Sequence, residues 1–390
     1  MTSPSDAISG SSSCPLEASI KHPLMGARLG VLLKAFARHG LPAPQKWPLA
    51  AAMTASAAAR LPLRPLEAIT EKRRRATNPT PETPVFIVGH WRSGTTHLHN
   101  LLGRAPQFGH ISPIASGLPD EILTVGRWFR KQLEAELPET RGIDAVAVRP
   151  DSPQEDEIPL ASLQSLSIYH ALYFPRDFEE SARAGIFFDG ASEREIARWR
   201  TRMRRFAEKI ALQQDKPQLL IKNPVYTARI GELRRIWPEA KFISIHRNPY
   251  EVFVSTVGYN RKMLKELALQ PYDHVDIERF VTGTFLDMMA AYDRDTADLG
   301  PDRLAEVSFE ALEADPLAVC GSIFEQLALP GWSQAKPEIV RYLDRLKGYE
   351  KNPYAISEAD AAHVEATWGA YLDRWGYARR PPCEGSGPTP

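Results

Sequence analysis

Two short segments, about 150 residues apart, carry the residue types that bind and move a charged group. The first is Gly89-His90-Trp91-Arg92-Ser93-Gly94-Thr95-Thr96. It follows the apolar run 85–88, and Leu98, Leu101 and Leu102 then recur at helical spacing. Strand, glycine-bounded loop and helix is a layout that points backbone N–H groups at an anion. The Gly89–Gly94 spacing is that of a nucleotide P-loop, but Thr95 stands where that motif places its lysine. The loop's cation is Arg92. The pattern therefore suits a phosphate-like group without the usual Mg-ATP arrangement.

The second segment is His246-Arg247-Asn248-Pro249, after the strand-like run 241–245 and before a helix that contains Ser255. Pro249 suits a first helical turn, where its missing N–H costs nothing. Arg247 and Ser255 together offer a forked guanidinium and a hydroxyl to a second phosphate.

This pair of motifs, R-S-G-T-T after a strand and R-N-P with a serine eight residues past the arginine, resembles the sulfotransferases that use 3′-phosphoadenosine 5′-phosphosulfate (PAPS). The form GHWRSGTTHLHNLL is similar to their bacterial-type branch; animal cytosolic members carry lysine at the Arg92 position. The resemblance covers roughly residues 84–378. It implies that Arg92, Ser93, Gly94, Thr95 and Thr96 cradle the 5′-phosphosulfate, with Arg92 also catalytic, and that Arg247 and Ser255 bind the 3′-phosphate. It further implies that Lys222, ending the run 218–221, reaches the transferring group or the leaving oxygen. No metal is expected.

The base that takes the acceptor's proton is less plainly written. Many relatives carry a histidine four residues past the lysine, and here that residue is Tyr226. Similar bacterial sequences carry an acidic P-x-E-D-E stretch, here Pro153 to Glu157, so Glu155 and Glu157 are the candidates, Glu155 preferred. Three successive acids also suit a solvated helix start. His90 lies inside the loop and is a candidate contact for donor or acceptor. His97, His99 and His246 read as packing or hydrogen-bonding groups. Trp91 and Tyr259 are candidate stacking residues. A basic loop near the C-terminus, usual in animal relatives, has only a faint echo in residues 347–351.

The elements that must position these groups follow from the pattern. Apolar runs at 85–88, 218–221, 241–245 and 304–309 alternate with helical patterns at 228–237, 250–265 and 276–298. That alternation predicts an α/β fold: an open, mostly parallel sheet flanked by helices, P-loop-NTPase-like. Binding loops in such sheets gather at the carboxyl ends of strands. Closing helices are expected over 316–328, 335–347 and 358–374. The domain reading is a disordered residues 1–15, a helical extension over 16–83, the sulfotransferase domain over 84–378 and a loose tail over 379–390. Within the domain, 107–216 is a largely helical insertion on the acceptor side.

Composition bounds the rest. The 390 residues carry 48 basic and 48 acidic side chains, so no bulk field draws the chain to nucleic acid. Three scattered cysteines make neither a disulfide framework nor a zinc site, and fit a cytoplasmic location. No stretch approaches the ~20 apolar residues of a membrane span. The six arginines of 194–205 read either as a solvated helix face or as a docking surface for an acidic acceptor. The basic run 71–75 reads as a solvated helix end, or as an anionic-membrane contact.

The expected reaction is metal-independent, in-line transfer of a sulfuryl group from PAPS to a hydroxyl or amine. The acceptor is open between a small molecule, a lipid and a glycan, as is the oligomeric state. Two other classes compete. A P-loop kinase or hydrolase needs the lysine that Thr95 replaces and an acid for Mg²⁺. A non-catalytic descendant would keep the fold and lose transfer.

Overall fold

The computed structural model describes residues 22–135, 149–346 and 356–380. The predicted disordered start, the faint basic echo at 347–351, Cys14, Cys383 and most of the tail lie outside the described residues.

Five parallel strands form one sheet in the order β2-β3-β1-β4-β5. They are β1 (Val85–Val88), β2 (Phe108–Gly109), β3 (Gln218–Lys222), β4 (Lys241–His246) and β5 (Leu304–Ser308). The four strands expected from apolar runs are present. β2, at the edge beside β3, is two residues long and leaves no apolar run to detect. Phe309 belongs to the next helix, not to β5, because Ser308 caps that helix through a hydrogen bond from Ala311 N–H.

Helices cover both faces, so β1 is buried throughout and does not show simple polar alternation. Its side chains still divide by pleat. Phe86 and Val88 join a cluster with Trp199, Tyr226, Phe285 and Trp368. Val85 and Ile87 join the opposite cluster with Leu98, Leu101, Phe309 and Phe324. The loop helix Thr95–Leu102 packs on that second face, and the helix Pro249–Leu267 follows β4.

A third cluster joins the N-terminal helices to the segment after the loop. Leu24, Leu32 and Met53 pack with Ile168, Tyr169, Leu172 and Tyr173. The helices are Leu29–His39, Trp47–Ala59 and Arg64–Thr77. A buried ion pair fixes the last of them: Glu67 lies 2.6 Å from Lys209, with both side chains under one-tenth exposed. Glu67 also accepts from Leu123 N–H at 3.0 Å and Thr124 Oγ1 at 2.6 Å.

The arginine-rich helix is Glu193–Gln214, closed at its start by a Ser192/Glu195 capping box. Four of its six arginines, Arg194, Arg198, Arg204 and Arg205, are exposed, and three make contacts that tie the helix to the fold. Arg200 pairs with Glu193 and Glu232, Arg202 donates to Leu163 O, and Arg204 donates to Ile236 O. In the basic run, Arg74 donates to Leu212 O and Arg75 pairs with Glu71 and Glu208. Among the described residues, no helix is long and apolar enough to cross a membrane.

Breaking a buried pair by removing one partner strands the other charge, which typically costs several kcal/mol. Glu67→Ala should lower unfolding stability by about 3 kcal/mol in chemical denaturation. A loss under about 1 kcal/mol would show that Lys209 finds water and that this anchor is weak.

Candidate active site

Three neighbouring strands, β3, β1 and β4, end side by side. Lys222 closes β3, the glycine loop leaves β1, and Arg247 follows β4. Between β1 and β4 the sheet's winding reverses, the place where an open α/β sheet leaves a crevice.

The loop's conformation explains its glycines. Gly89 has φ 140°, and a Cβ there would stand 2.3 Å from Ile245 O. Gly94 has φ 99°, and its Cβ would stand 2.2 Å from the Phe309 ring. Arg92 also has positive φ, at 67°. A non-glycine residue held there is strained unless its surroundings fix it. Its surroundings do: Arg92 Nε donates to Ser255 Oγ at 2.8 Å, and the guanidinium lies 5.9 Å from the Tyr259 ring centre.

The two sequence motifs therefore touch. Arg247 Nη1 reaches Arg92 O at 3.5 Å, pairs with Glu251, and lies 4.5 Å over the Phe309 ring. Thr256 Oγ1 donates to Trp91 O at 3.2 Å. Arg92 turns toward Ser255 and not toward Lys222.

On the other side of the loop, Lys222 Nζ donates to Thr96 Oγ1 at 3.2 Å and to Glu155 Oε1 at 2.5 Å. Lys222 is 2 % exposed and Glu155 15 %, so the carboxylate is the member with an open edge. Ser93 N–H and Oγ both bond to His90 O, at 3.2 and 2.7 Å. The N–H expected from Ser93 at an anion is thus committed to the turn. Those of Thr95 and Thr96 open the helix, where no carbonyl of their own helix can take them. Thr95 is 4 % exposed.

The acidic stretch divides by burial. Glu157 is fully buried, accepts from Ile168 N–H at 3.3 Å and lies 3.7 Å from Arg229. Burial raises its pKa. A base must meet solvent or acceptor, so the expectation for Glu157 gives way to a structural role. Asp156, passed over in the sequence, is also fully buried; it accepts from Tyr226 Oη and from Asn223 Nδ2, the latter at 2.9 Å. Tyr226, at the position where the resemblance led to the expectation of a histidine, faces this buried acid. The network fixes the backbone on which Glu155 sits. Its sequence signal was the spacing of Asn223 and Tyr226 after Lys222.

His90 is a core group. Its ring packs against Trp91, Phe285 and Trp368, and burial lowers its pKa to about 4. His99 is buried with Nε2 3.2 Å from Leu220 O, and His246 stacks on Trp375 at 4.7 Å. Trp91 and Tyr259 meet in a small cavity lined also by Ile168, Tyr169, Leu172 and Phe280. Thr227 Oγ1, missed in the sequence, takes Gly89 N–H at 2.8 Å.

The cluster fits a ligand with two separated anionic groups. Arg92, Arg247 and Ser255 form one polar corner; Lys222, Thr96 and the helix N-terminus form the other. Among the described residues, no group of three or more His, Cys, Asp or Glu could hold a metal ion.

Residues 84–334 match the model of the family described as "Sulfotransferase family". Curated relatives in Mycobacterium bovis and Mycobacterium tuberculosis, each an omega-hydroxy-beta-dihydromenaquinone-9 sulfotransferase Stf3, are 29% identical over 314 residues, 80% of this chain and 79% of theirs. Among solved structures, sulfotransferase STF9 from Mycobacterium avium aligns with TM-score 0.63 at 19% identity, over 90% of this chain and 96% of that one. STF1 from Mycobacterium tuberculosis aligns with TM-score 0.60 at 19% identity, over 88% and 91%. These two likenesses concern the fold alone.

Burial pushes the Asp156 carboxyl up from an ordinary 3.8 to about 7, against the opposing hydrogen bonds of Tyr226 and Asn223. Between those values the folded chain holds a proton that the unfolded chain has released. This group's contribution to stability therefore falls as pH rises from about 4 to 7 and is level above. Asp156→Asn cannot ionise. The melting temperature of the variant relative to wild type should climb across that window and flatten beyond it. A difference that does not move with pH would place the carboxyl in a different environment.

Proposed function

The chain belongs to the sulfotransferase family, and on that premise we propose that it moves a sulfuryl group from PAPS to a hydroxyl of an apolar acceptor. The observation that supports this most is the junction of the two motifs, Arg92 Nε on Ser255 Oγ with Lys222 on Thr96 beside it. It sets two cationic corners on one loop, which matches a donor that carries a 3′-phosphate and a 5′-phosphosulfate.

In this reading Arg247 and Ser255 hold the 3′-phosphate. Arg92 joins them, since its guanidinium is tied to Ser255; this shifts its role from the transferring group toward donor binding. Thr95 and Thr96 N–H groups with the Thr96 hydroxyl orient the 5′ side. Glu155 accepts the proton of the acceptor hydroxyl. The acceptor oxygen forms its bond to sulfur as the bond from sulfur to the bridging phosphate oxygen breaks. 3′,5′-Adenosine diphosphate (PAP) leaves with the bonding pair, and Lys222 meets the charge that grows on that oxygen. Preorganised donors of this kind carry most of the catalysis in phosphoryl transfer, and the same electrostatics apply.

Two observations favour a lipid-like alcohol as acceptor over a glycan. The small cavity beside Arg92 is lined by Trp91, Tyr169, Tyr259 and Phe280, with Leu172 and Ile168 and one amide, Asn260. The Stf3 relatives are named for a hydroxylated menaquinone. Tyr226 is committed to Asp156, and the open edge of Glu155 beside Lys222 supports Glu155 as the base.

Transfer of label from ³⁵S-PAPS to a hydroxylated dihydromenaquinone or to farnesol tests the reading. Lys222→Met should lower turnover by on the order of 100-fold or more, with PAP affinity kept within a few-fold. Glu155→Gln should lower it by on the order of 100-fold. Wild-type turnover in either variant would remove that residue's role.

A further inference from the structure

We propose that the N-terminal helical face, residues 33–69, docks on an anionic lipid surface. The charge of this stretch departs from that of the whole chain. Residues 18–66 contain no Asp or Glu, although the chain as a whole is neutral. Of the basic residues in 22–66, Arg28 and Arg60 turn inward to Asp120 and Glu121, and the half-exposed Arg64 pairs with Asp120. Lys34, Arg38 and Lys46 are exposed.

The same stretch exposes large apolar side chains. Leu33, Leu41, Trp47, Leu61, Leu66 and Ile69 are each 40–61 % exposed. The helix Trp47–Ala59 (WPLAAAMTASAAA) has no charged residue and buries only Leu49, Met53 and Ala57. Of its ten other residues six are alanine, and the rest are Trp47, Pro48, Thr54 and Ser56. A surface helix normally turns charge to water, so an uncharged outer face marks a surface meant for something apolar. The parts are connected. The helix Leu29–His39 packs on Trp47–Ala59, which packs on the turn Leu61–Leu63 leading into Arg64–Thr77. Trp47 Nε1 donates to Pro42 O at 3.0 Å and holds the Leu41 segment to the helix start.

Exposed apolar side chains accompanied by exposed lysine and arginine, with a tryptophan at a helix start, are complementary to an anionic bilayer interface. The helix is about 20 Å long, short of the ~30 Å hydrocarbon core, so it lies on a membrane and does not span it. The extension also shares its buried core with Ile168, Tyr169 and Leu172, which line the aromatic cavity. Docking would bring that cavity to the membrane. The surface is argued from its own residues and stands whether or not the acceptor is a lipid.

The test is sedimentation of the full chain with vesicles of phosphatidylcholine and phosphatidylglycerol (3:1), beside vesicles of phosphatidylcholine alone. At least tenfold greater partition into the anionic vesicles is expected, since each basic side chain is worth on the order of fivefold there. Trp47→Asp with Ile69→Asp should lower partition at least tenfold, as should Lys34→Ser, Arg38→Ser and Lys46→Ser together. Each variant should keep the wild-type circular-dichroism spectrum. No binding to either vesicle at low salt would overturn the proposal. So would wild-type binding by the aspartate variant, which would mean charge attraction without an apolar contact. If the same substitutions instead split a dimer in analytical ultracentrifugation, and wild type ignores vesicles, the face is a subunit interface and the proposal fails. A chain that binds vesicles but not PAP would refute the nucleotide reading and leave this one standing.

Discussion

The hydrogen bond from Arg92 to Ser255 joins residues 163 positions apart, and the geometry around it depends on that junction. It holds Arg92 in a left-handed conformation that sterics disfavour, and so sets the turn of the glycine loop. The loop then places Thr96 on Lys222, and Lys222 on Glu155. What makes the junction available is the sheet. Parallel strands ending in adjacent positions bring three distant segments, those after β3, β1 and β4, to one edge.

Burial then sorts the chemistry. Around the cluster lie ionisable groups that are not free to act in it. His90 is packed among aromatic rings and kept neutral. Glu157 is spent on Arg229, and Asp156 on Tyr226 and Asn223. Glu155, next to two fully buried acids, keeps an open edge while Lys222 beneath it is nearly closed off. A rigid, polar underlayer is the kind of support that fixes a catalytic carboxylate to within a fraction of an ångström. Tyr226 occupies that underlayer, which gives the absent histidine a physical meaning: the position faces inward here.

The fold and the glycine loop were legible because their signals are local. Apolar runs at 85–88, 218–221 and 241–245 needed no tertiary information, and Gly89 and Gly94 are glycines for steric reasons visible in their spacing. β2 was not legible, since a two-residue edge strand has no periodicity. Side-chain direction was not legible either. Nothing in R-S-G-T-T tells that Arg92 turns toward Ser255, or that Ser93 N–H closes on His90 O. The acidic run offered Glu155 and Glu157 as candidates, with Glu155 preferred, and passed over Asp156; burial is what separates Glu155 from its two neighbours. The arginines of 194–205 were half legible. Arg194, Arg198, Arg204 and Arg205 are exposed, as a solvated helix face requires, but nothing in their count tells that Arg202 and Arg204 also reach backbone carbonyls.

Calorimetry of PAP binding in EDTA, for wild type and Arg247→Ala, beside ATP with Mg²⁺, most directly tests whether the two corners form one donor site. PAP should bind without metal, and Arg247→Ala should weaken it at least tenfold, about 1.4 kcal/mol. Binding of ATP alone, and only with Mg²⁺, would contradict the account.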